Sequence, residues 1–272
     1  MLIVVALSAC GPNGRSAASL SLPSRTLGVA AVGDVVVALS EAASGENVSV
    51  IARDGTILHQ FHVRNAVDVA AASDAADFLV NDSSFSRVER RALDGRMIQA
   101  RPLKVRIDGL GPEIDGERLG VLRRPSGTIV SRLDGRALAR FAPDVARIGV
   151  CQLGPASYLV AASSGGTSLF GIHDRKRHAV AVAGIDATCI ETLSGTMLGI
   201  VQRNRAESDI VVVALPVLQQ IAALPLASGA SRITANDRTA YVLIQGADAS
   251  ARILPRETLD FREQLIHDVH FK

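Results

Sequence analysis

Tryptophan is absent from the 272 residues, tyrosine occurs twice and phenylalanine seven times, so aromatic residues make up only 3 % of the chain. A hydrophobic content of 48 % must then be supplied by Val, Ile, Leu and Ala. β-Branched side chains suit pleated, half-buried strands, so such a core fits a sheet protein at least as well as a helix bundle. The shortage of flat rings also weighs against a sugar-binding platform. Lysine is nearly missing as well, with only Lys104, Lys176 and Lys272 among 29 basic residues. So strong an arginine excess reads as the usage of a GC-rich genome. The basic residues are balanced by 27 acidic ones, for a formal net charge of +2. Both signs alternate through the middle of the chain. No electropositive stripe marks a nucleic-acid footprint, and nucleic acid is excluded as the expected partner.

The N-terminus carries a short apolar run, Leu2 to Leu7, followed by Ser8, Ala9, Cys10 and Gly11. A membrane-spanning helix needs about 20 apolar residues, so this run does not span. Its length is that of the apolar part of a secretion signal, ending in small residues. Leu7-Ser8-Ala9-Cys10 resembles the lipobox of bacterial lipoproteins, although no Lys or Arg precedes the run. The resemblance implies removal of residues 1–9, diacylation of Cys10 and a membrane anchor made of lipid alone. Gly11 after the Cys is similar to lipoproteins sorted to the outer membrane. Residues 11–22, opening Gly11-Pro12-Asn13-Gly14-Arg15-Ser16, read as a flexible tether, and residues 23–272 as the folded domain.

Inside that domain the strongest signal is punctuation. Asp54-Gly55, Asp94-Gly95 and Asp134-Gly135 recur every forty residues, and Asp174-Arg175 continues the phase. Apolar runs flank each pair, such as Val50-Ile51 and Ile57-Leu58, or Ile129-Val130 and Ala137-Leu138. Asp-Gly between apolar runs predicts a hairpin, here with a type I′ turn. A second series of turns lies between these: Gly33-Asp34, Ser73-Asp74, Asp115-Gly116, Gly154-Pro155, Ser194-Gly195 and Asn236-Asp237. Four short strands per repeat of about 40 residues, which cannot bury both faces alone, predict an all-β fold. The expected architecture is a β-propeller of six four-stranded blades. A fixed forty-residue phase is not required of paired sandwiches, and Gly, Asp or Pro breaks every helical window. Residues 20–27 are candidates to close the ring by pairing with the last blade.

Arg91-Ala92-Leu93-Asp94-Gly95-Arg96 and Ser131-Arg132-Leu133-Asp134-Gly135-Arg136 loosely resemble quinoprotein-like propeller repeats, in which Leu-Asp-Gly precedes an apolar outer strand. Repeats of that family normally end in a tryptophan that docks between blades. The absence of Trp sets this chain apart from that subfamily, and no cofactor is expected. The remaining cysteines, Cys151 and Cys189, stand 38 residues apart, nearly one repeat, and fall on inner strands of neighbouring blades. A bridge needs Cα atoms within about 7 Å, which adjacent blades do not guarantee. Buried free thiols are the expectation and a disulfide the alternative.

Catalytic motifs are missing. No Gly-x-Ser-x-Gly elbow, His-Glu-x-x-His or EF-hand loop occurs, and Gly109-Leu110-Gly111 lacks the third glycine of a dinucleotide loop. His59/His62 and His267/His270 are three apart, which on a strand places them on opposite faces. Asp68, Asp108, Asp186 and Glu191 sit on inner strands; the three aspartates are candidate ligands of a channel cation, if they are not simply bonded to backbone amides. Loops between second and third strands form the usual binding face of a propeller. Here they are short and polar, and Arg123, Arg124, Arg203 and Arg205 are the charges placed to grip a partner. The leading reading is a non-catalytic envelope scaffold: a periplasmic-side lipoprotein, held by its lipid at the outer membrane, whose propeller binds another envelope protein. Its outline resembles propeller lipoproteins that assist outer-membrane protein assembly. The alternative is a propeller hydrolase or lactonase with a metal in the channel. A channel carrying three or more carboxylates or amides within metal reach favours the enzyme; a lining of Ala, Val and Ser favours the scaffold.

Overall fold

The computed structural model describes residues 19–23, 25–41, 45–83, 85–192, 195–204, 207–226, 229–235, 239–244 and 250–255. Cys10, Arg205, Asn236-Asp237, His267 and His270 lie outside them. The segment from Ser19 to Ser21 is strand β1. Next comes a sheet of β2 (Thr26–Val32), β3 (Val35–Ser40), β4 (Val48–Ala52) and β5 (Ile57–Phe61). The second sheet holds β6 (Ala66–Ala71), β7 (Ala75–Asn81), β8 (Ser86–Ala92) and β9 (Met97–Pro102). The third holds β10 (Gly109–Ile114), β11 (Glu117–Arg124), β12 (Gly127–Arg132) and β13 (Ala137–Phe141). The fourth has β14 (Gly149–Leu153), β15 (Ala156–Ser163), β16 (Gly166–Gly171) and β17 (Arg177–Val180). The fifth has β18 (Asp186–Thr192), β19 (Gly195–Asn204), β20 (Glu207–Ala214) and β21 (Gln219–Leu226). These five sheets are each made of four consecutive antiparallel strands.

A further sheet is composite. It joins β22 (Ala230–Ala235), β23 (Thr239–Ile244) and β24 (Ser250–Pro255) to β1, in the order β1-β24-β23-β22. Ser19 pairs with Arg252, Leu20 with Ala251 and Ser21 with Ser250. Chain closure of this kind ties the start of the domain to its end. It also draws Leu20 and Leu22 into a core cluster with Val29, Val36 and Leu243, so the fold begins inside the segment expected as tether. The all-β propeller of four-stranded blades is thereby established.

The apolar core is divided into wedges, each spanning two neighbouring sheets. Val37, Leu39 and Val50 of the first sheet meet Val69, Phe78 and Val80 of the second. Val160 and Leu169 of the fourth meet Leu198, Ile200 and Val213 of the fifth. Aliphatic side chains make up most of these wedges. Burial follows position within a sheet. β3 and β7 are buried nearly throughout, whereas the outer strand β9 is exposed at every residue. The wedge between the second and third sheets holds Leu79, Val88, Ile107, Leu110, Leu122 and Leu133.

The Asp-Gly hairpins form where expected, with a different turn. Gly55 N–H donates to the Ala52 carbonyl at 3.0 Å, and Ala52 N–H to the Thr56 carbonyl at 2.8 Å. Of the pair only the glycine has positive φ, +92°; the same holds at Gly95 (+89°) and Gly135 (+94°). This is a three-residue loop, a type I turn followed by a glycine bulge, in place of the type I′ turn that needs two positive φ values. The aspartate fixes it, because Asp54 Oδ1 accepts the Thr56 N–H at 2.9 Å, and Asp94 and Asp134 repeat the bond with Arg96 and Arg136 at 2.9 Å. In the fourth repeat the closing bond runs from Gly171 N–H to the Lys176 carbonyl, a loop one residue longer, and Arg175 takes the positive φ. The glycine is also a packing requirement: a Cβ on Gly95 would lie 2.7 Å from the Phe61 ring of the preceding sheet.

The cysteines correct the free-thiol expectation. Cys151 on β14 and Cys189 on β18 form a disulfide, with Cα atoms 5.0 Å apart. First strands of the fourth and fifth sheets approach closely because Gly149 leaves room: a Cβ there would sit 2.3 Å from the Ala187 carbonyl oxygen.

Candidate functional site

The first strands β2, β6, β10, β14, β18 and β22 surround a central cavity of about 460 Å³. Its wall is mostly small or apolar, including Ala30, Ala70, Ala71, Ala187, Ala235 and Val69. Glycine, alanine and valine follow from geometry, since first strands crowd together at the ring axis. The polar exceptions gather in two places.

The first lies at the mouth where the first strands begin. There Asp68 and Asp108 are found, together with Arg123, Arg147 and Arg232, around a side cavity of about 120 Å³, while Asp186, the third aspartate named from sequence, lines the central cavity beside Arg147 and Arg232. Asp68 reaches across to the third sheet, its Oδ2 accepting the Leu110 N–H at 2.9 Å while Oδ1 accepts the Val69 N–H at 3.0 Å. Asp186 does the same three sheets further on. Its Oδ2 accepts the Ile233 N–H of β22 and its Oδ1 the Ala187 N–H, both at 2.9 Å. Asp108 accepts the Arg123 N–H at 2.7 Å. All three carboxylates thus bond to backbone amides, and two of them stitch neighbouring sheets. Among the described residues no three His, Cys, Asp or Glu side chains come together as a metal-ligand set. Glu191 is at the other end of its strand, exposed and bonded to Thr196.

Burial pushes the Asp186 carboxyl above its ordinary value, against the pull of the Arg147 charge and of its two backbone donors. Arg147 Nη2 lies 3.3 Å from Asp68 Oδ1, and Arg232 Nη1 lies 3.9 Å from the same oxygen. Burial and the like charge of Arg147 pull Arg232 down to about 10. Its Nη1 is buried without a hydrogen-bond partner. The guanidinium rests on Gly28, where a Cβ would come within 2.4 Å of Nη1.

Of the arginines expected on the binding face, Arg123 belongs to this mouth. Its Nη2 donates to the Ala146 carbonyl at 2.5 Å and its Nη1 to the Asp108 carbonyl at 3.3 Å. Arg124 is half exposed and lies 3.9 Å from Asp108. Arg203 is exposed, with one long contact of 3.5 Å to the Ala230 carbonyl. Sequence reading missed Arg147 and Arg232. The available signal was an arginine beside an apolar first strand, as in Arg147-Ile148 and Ser231-Arg232-Ile233.

The second polar cluster is between the second and third sheets. Arg118, 4 % exposed, donates from Nε to Asp77 at 2.8 Å, and Asp77 is 1 % exposed. Arg90 holds the same carboxylate through two bonds, at 2.8 and 2.9 Å, and reaches Glu113 at 2.7 Å. Arg118 also donates to the Gly111 carbonyl at 3.0 Å and to the Ala71 carbonyl. Burial pushes the Asp77 carboxyl up, but the bonds and charges of Arg90 and Arg118 outweigh it and hold it below its ordinary value. Its bonds to Asp77 raise Arg90.

No family model and no curated protein matches the chain. Solved structures do. A candidate oxidoreductase (glucose dehydrogenase) from Thermus thermophilus superposes with TM-score 0.53 at 11 % identity, covering 86 % of this chain and 98 % of that one. The PQQ-bound aldose sugar dehydrogenase of Streptomyces coelicolor gives TM-score 0.53 at 8 % identity, covering 86 % and 95 %. A protein of unknown function from Bacteroides caccae gives 0.52 at 12 %, covering 74 % and 81 %. At such identities the likeness defines the class of fold, a β-propeller, and nothing of its chemistry.

Proposed function

We propose that the chain is an envelope lipoprotein, tethered through Cys10, whose propeller is a non-catalytic scaffold for another envelope protein. We also read its ring as six blades, the composite sheet of β22, β23, β24 and β1 counting as the last. The observation that carries the scaffold reading is the channel. Its wall is mostly Ala, Val, Ile and Gly, and each aspartate at its mouth is bonded to backbone amides, so among the described residues no set of carboxylates is left to converge on a channel cation. A metal hydrolase needs carboxylate oxygens free to converge on a cation; here Asp68 faces two guanidinium groups instead. The Cys151–Cys189 disulfide agrees with an oxidising compartment, because such bonds persist outside the cytosol.

The deciding experiment follows the anchor and the partner together. Expressed with a C-terminal tag, the wild-type chain is expected in the membrane fraction, labelled by radioactive palmitate, and Cys10→Ser in the soluble periplasm without label. Gentle solubilisation should then recover one stoichiometric partner with the wild type and less of it with Cys10→Ser. Unlabelled wild type removes the lipoprotein reading. Labelled wild type without any partner removes the scaffold.

A further inference from the structure

We infer that the charged mouth of the channel is a binding site for a small organic carboxylate, gripped by Arg147 and Arg232, with its apolar body in the channel behind them.

Donors outnumber acceptors at this mouth. Asp68 Oδ1 is approached by three groups at once: the Val69 N–H at 3.0 Å, Arg147 at 3.3 Å and Arg232 at 3.9 Å. Its other oxygen belongs to Leu110. Both oxygens of Asp186 are taken by the amides of Ala187 and Ile233, so that carboxyl gives neither arginine a hydrogen bond. Asp108 serves Arg123, which is further tied to two carbonyls. Arg147 adds only a contact of 3.4 Å to the Val69 carbonyl. Among the described residues Arg232 is left with the 3.9 Å approach alone and a buried Nη1 that donates to nothing. A buried, unpaired donor atom on a partly buried cation is costly, more so than on a neutral group. Asp68 hydrogen-bonds Arg147, and Asp186 reaches the two arginines only through its charge, so an incoming oxyanion would supply the hydrogen-bond acceptor that Arg232 lacks. A guanidinium fork matches a carboxylate with two parallel bonds.

The wall selects the rest of the ligand. Val29, Val69, Ile148, Ala187 and Ile233 line the cavity beside the arginines. Such a wall offers an apolar body van der Waals contact, and the other charges that line the cavity, Arg118 and Glu113, are already paired with Asp77, Arg90 and each other. At about 460 Å³ the cavity is in the range of small-molecule sites. A singly charged acid with a short aliphatic body fits this chemistry; inorganic phosphate, carrying more charge and no body, does not. Placement of Arg232 against Gly28 holds the head group in position without a hydrogen bond, so the site is preformed by packing.

The test uses the full-length chain in non-ionic detergent and butyrate labelled with ¹³C at the carboxyl. Chloride at matched ionic strength and detergent alone serve as blanks. The expected result is a saturable change in the carboxyl resonance that phosphate at equal concentration does not displace. Arg232→Met and Arg147→Gln should each weaken binding by about tenfold, the loss of one charge-assisted bond pair. Gly28→Ala keeps every charge and should also weaken it, by pushing the guanidinium aside. Arg136→Gln, an exposed arginine on an Asp-Gly turn, removes the same charge and should leave binding unchanged. Urea unfolding of each variant confirms that it is folded. Non-saturable change, or equal loss with Arg136→Gln, reveals surface attraction only and overturns the site. Displacement by phosphate at equal concentration overturns the carboxylate assignment.

Discussion

Two arginine clusters line the channel, built from the same residue types with opposite outcomes. Around Arg118 and Arg90 every strong donor has an acceptor: Asp77 takes three bonds, Glu113 two, and the carbonyls of Gly111 and Ala71 complete Arg118. Around Arg147 and Arg232 one carboxylate oxygen is asked to serve three donors and one guanidinium goes without. Burial does not separate them by itself, since Asp186 is nearly as enclosed as Asp77 and Arg90 is as exposed as Arg232. Satisfaction does. A fully paired buried network fixes the register of two sheets and costs little once formed. An under-paired one leaves free energy to be recovered by a ligand. The first cluster sits between the second and third sheets and adds its bonds to the cohesion that Leu79, Val88, Ile107 and Leu110 provide there.

The comparison breaks most visibly at Arg118. Arg118→Met removes one of the three bonds and one of the two paired charges from a carboxylate that remains buried, and stability at neutral pH should fall by about 3–5 kcal/mol in urea titrations. A loss below about 1 kcal/mol would mean that Arg90 alone satisfies Asp77. Acid provides a second view of the same group. Asp77 is held below its ordinary value of 3.8, so its contribution is complete above that pH and is lost as pH falls through the depressed value. Asp186 is raised, so its contribution is complete below 3.8 and fades as pH rises through the raised value. Asp77→Asn should therefore flatten the acid loss of stability below 3.8, whereas an unchanged acid limb would show that the carboxylate is not what titrates.

Next in size is the disulfide, which fastens the fourth sheet to the fifth as the ion network fastens the second to the third. Replacing Cys151 and Cys189 together by Ser should cost about 2–4 kcal/mol, given the 38-residue separation. Dithiothreitol should lower the wild-type midpoint to that of the double variant. Equal midpoints without reductant would show that the bond does not form in the folded protein.

What could be read in advance followed from local chemistry. The forty-residue phase of Asp-Gly was legible because a turn needs particular residues at particular positions, whatever surrounds them. Its turn type was not, since Gly95 answers to Phe61 in the neighbouring sheet as well as to its own hairpin. Asp68 and Asp186 stood out as inner-strand carboxylates; which amide each would reach depended on Leu110 and Ile233, more than forty residues away. The disulfide turned on the same kind of fact, the approach of two strands that Gly149 permits. Arg118, Arg147 and Arg232 resemble a dozen solvated arginines in composition. Only the closing of the ring separates them from the rest.

Arg232→Met is the smallest expected effect and the sharpest for the comparison. The substitution keeps the length of the stem, removes a charge that burial and Arg147 disfavour, and leaves Asp68 with Arg147 and two amides. A quarter of the Arg232 side chain reaches solvent, which screens part of the penalty. Stability should thus stay within about 1 kcal/mol of wild type or rise, where the same exchange at Arg118 is strongly destabilising. A stabilised variant that has lost butyrate binding would show that the fold tolerates the strain of this arginine because the ligand relieves it. A loss as large as that at Arg118 would show instead that Arg232 has a structural partner in the ring, and the two clusters would then be of one kind.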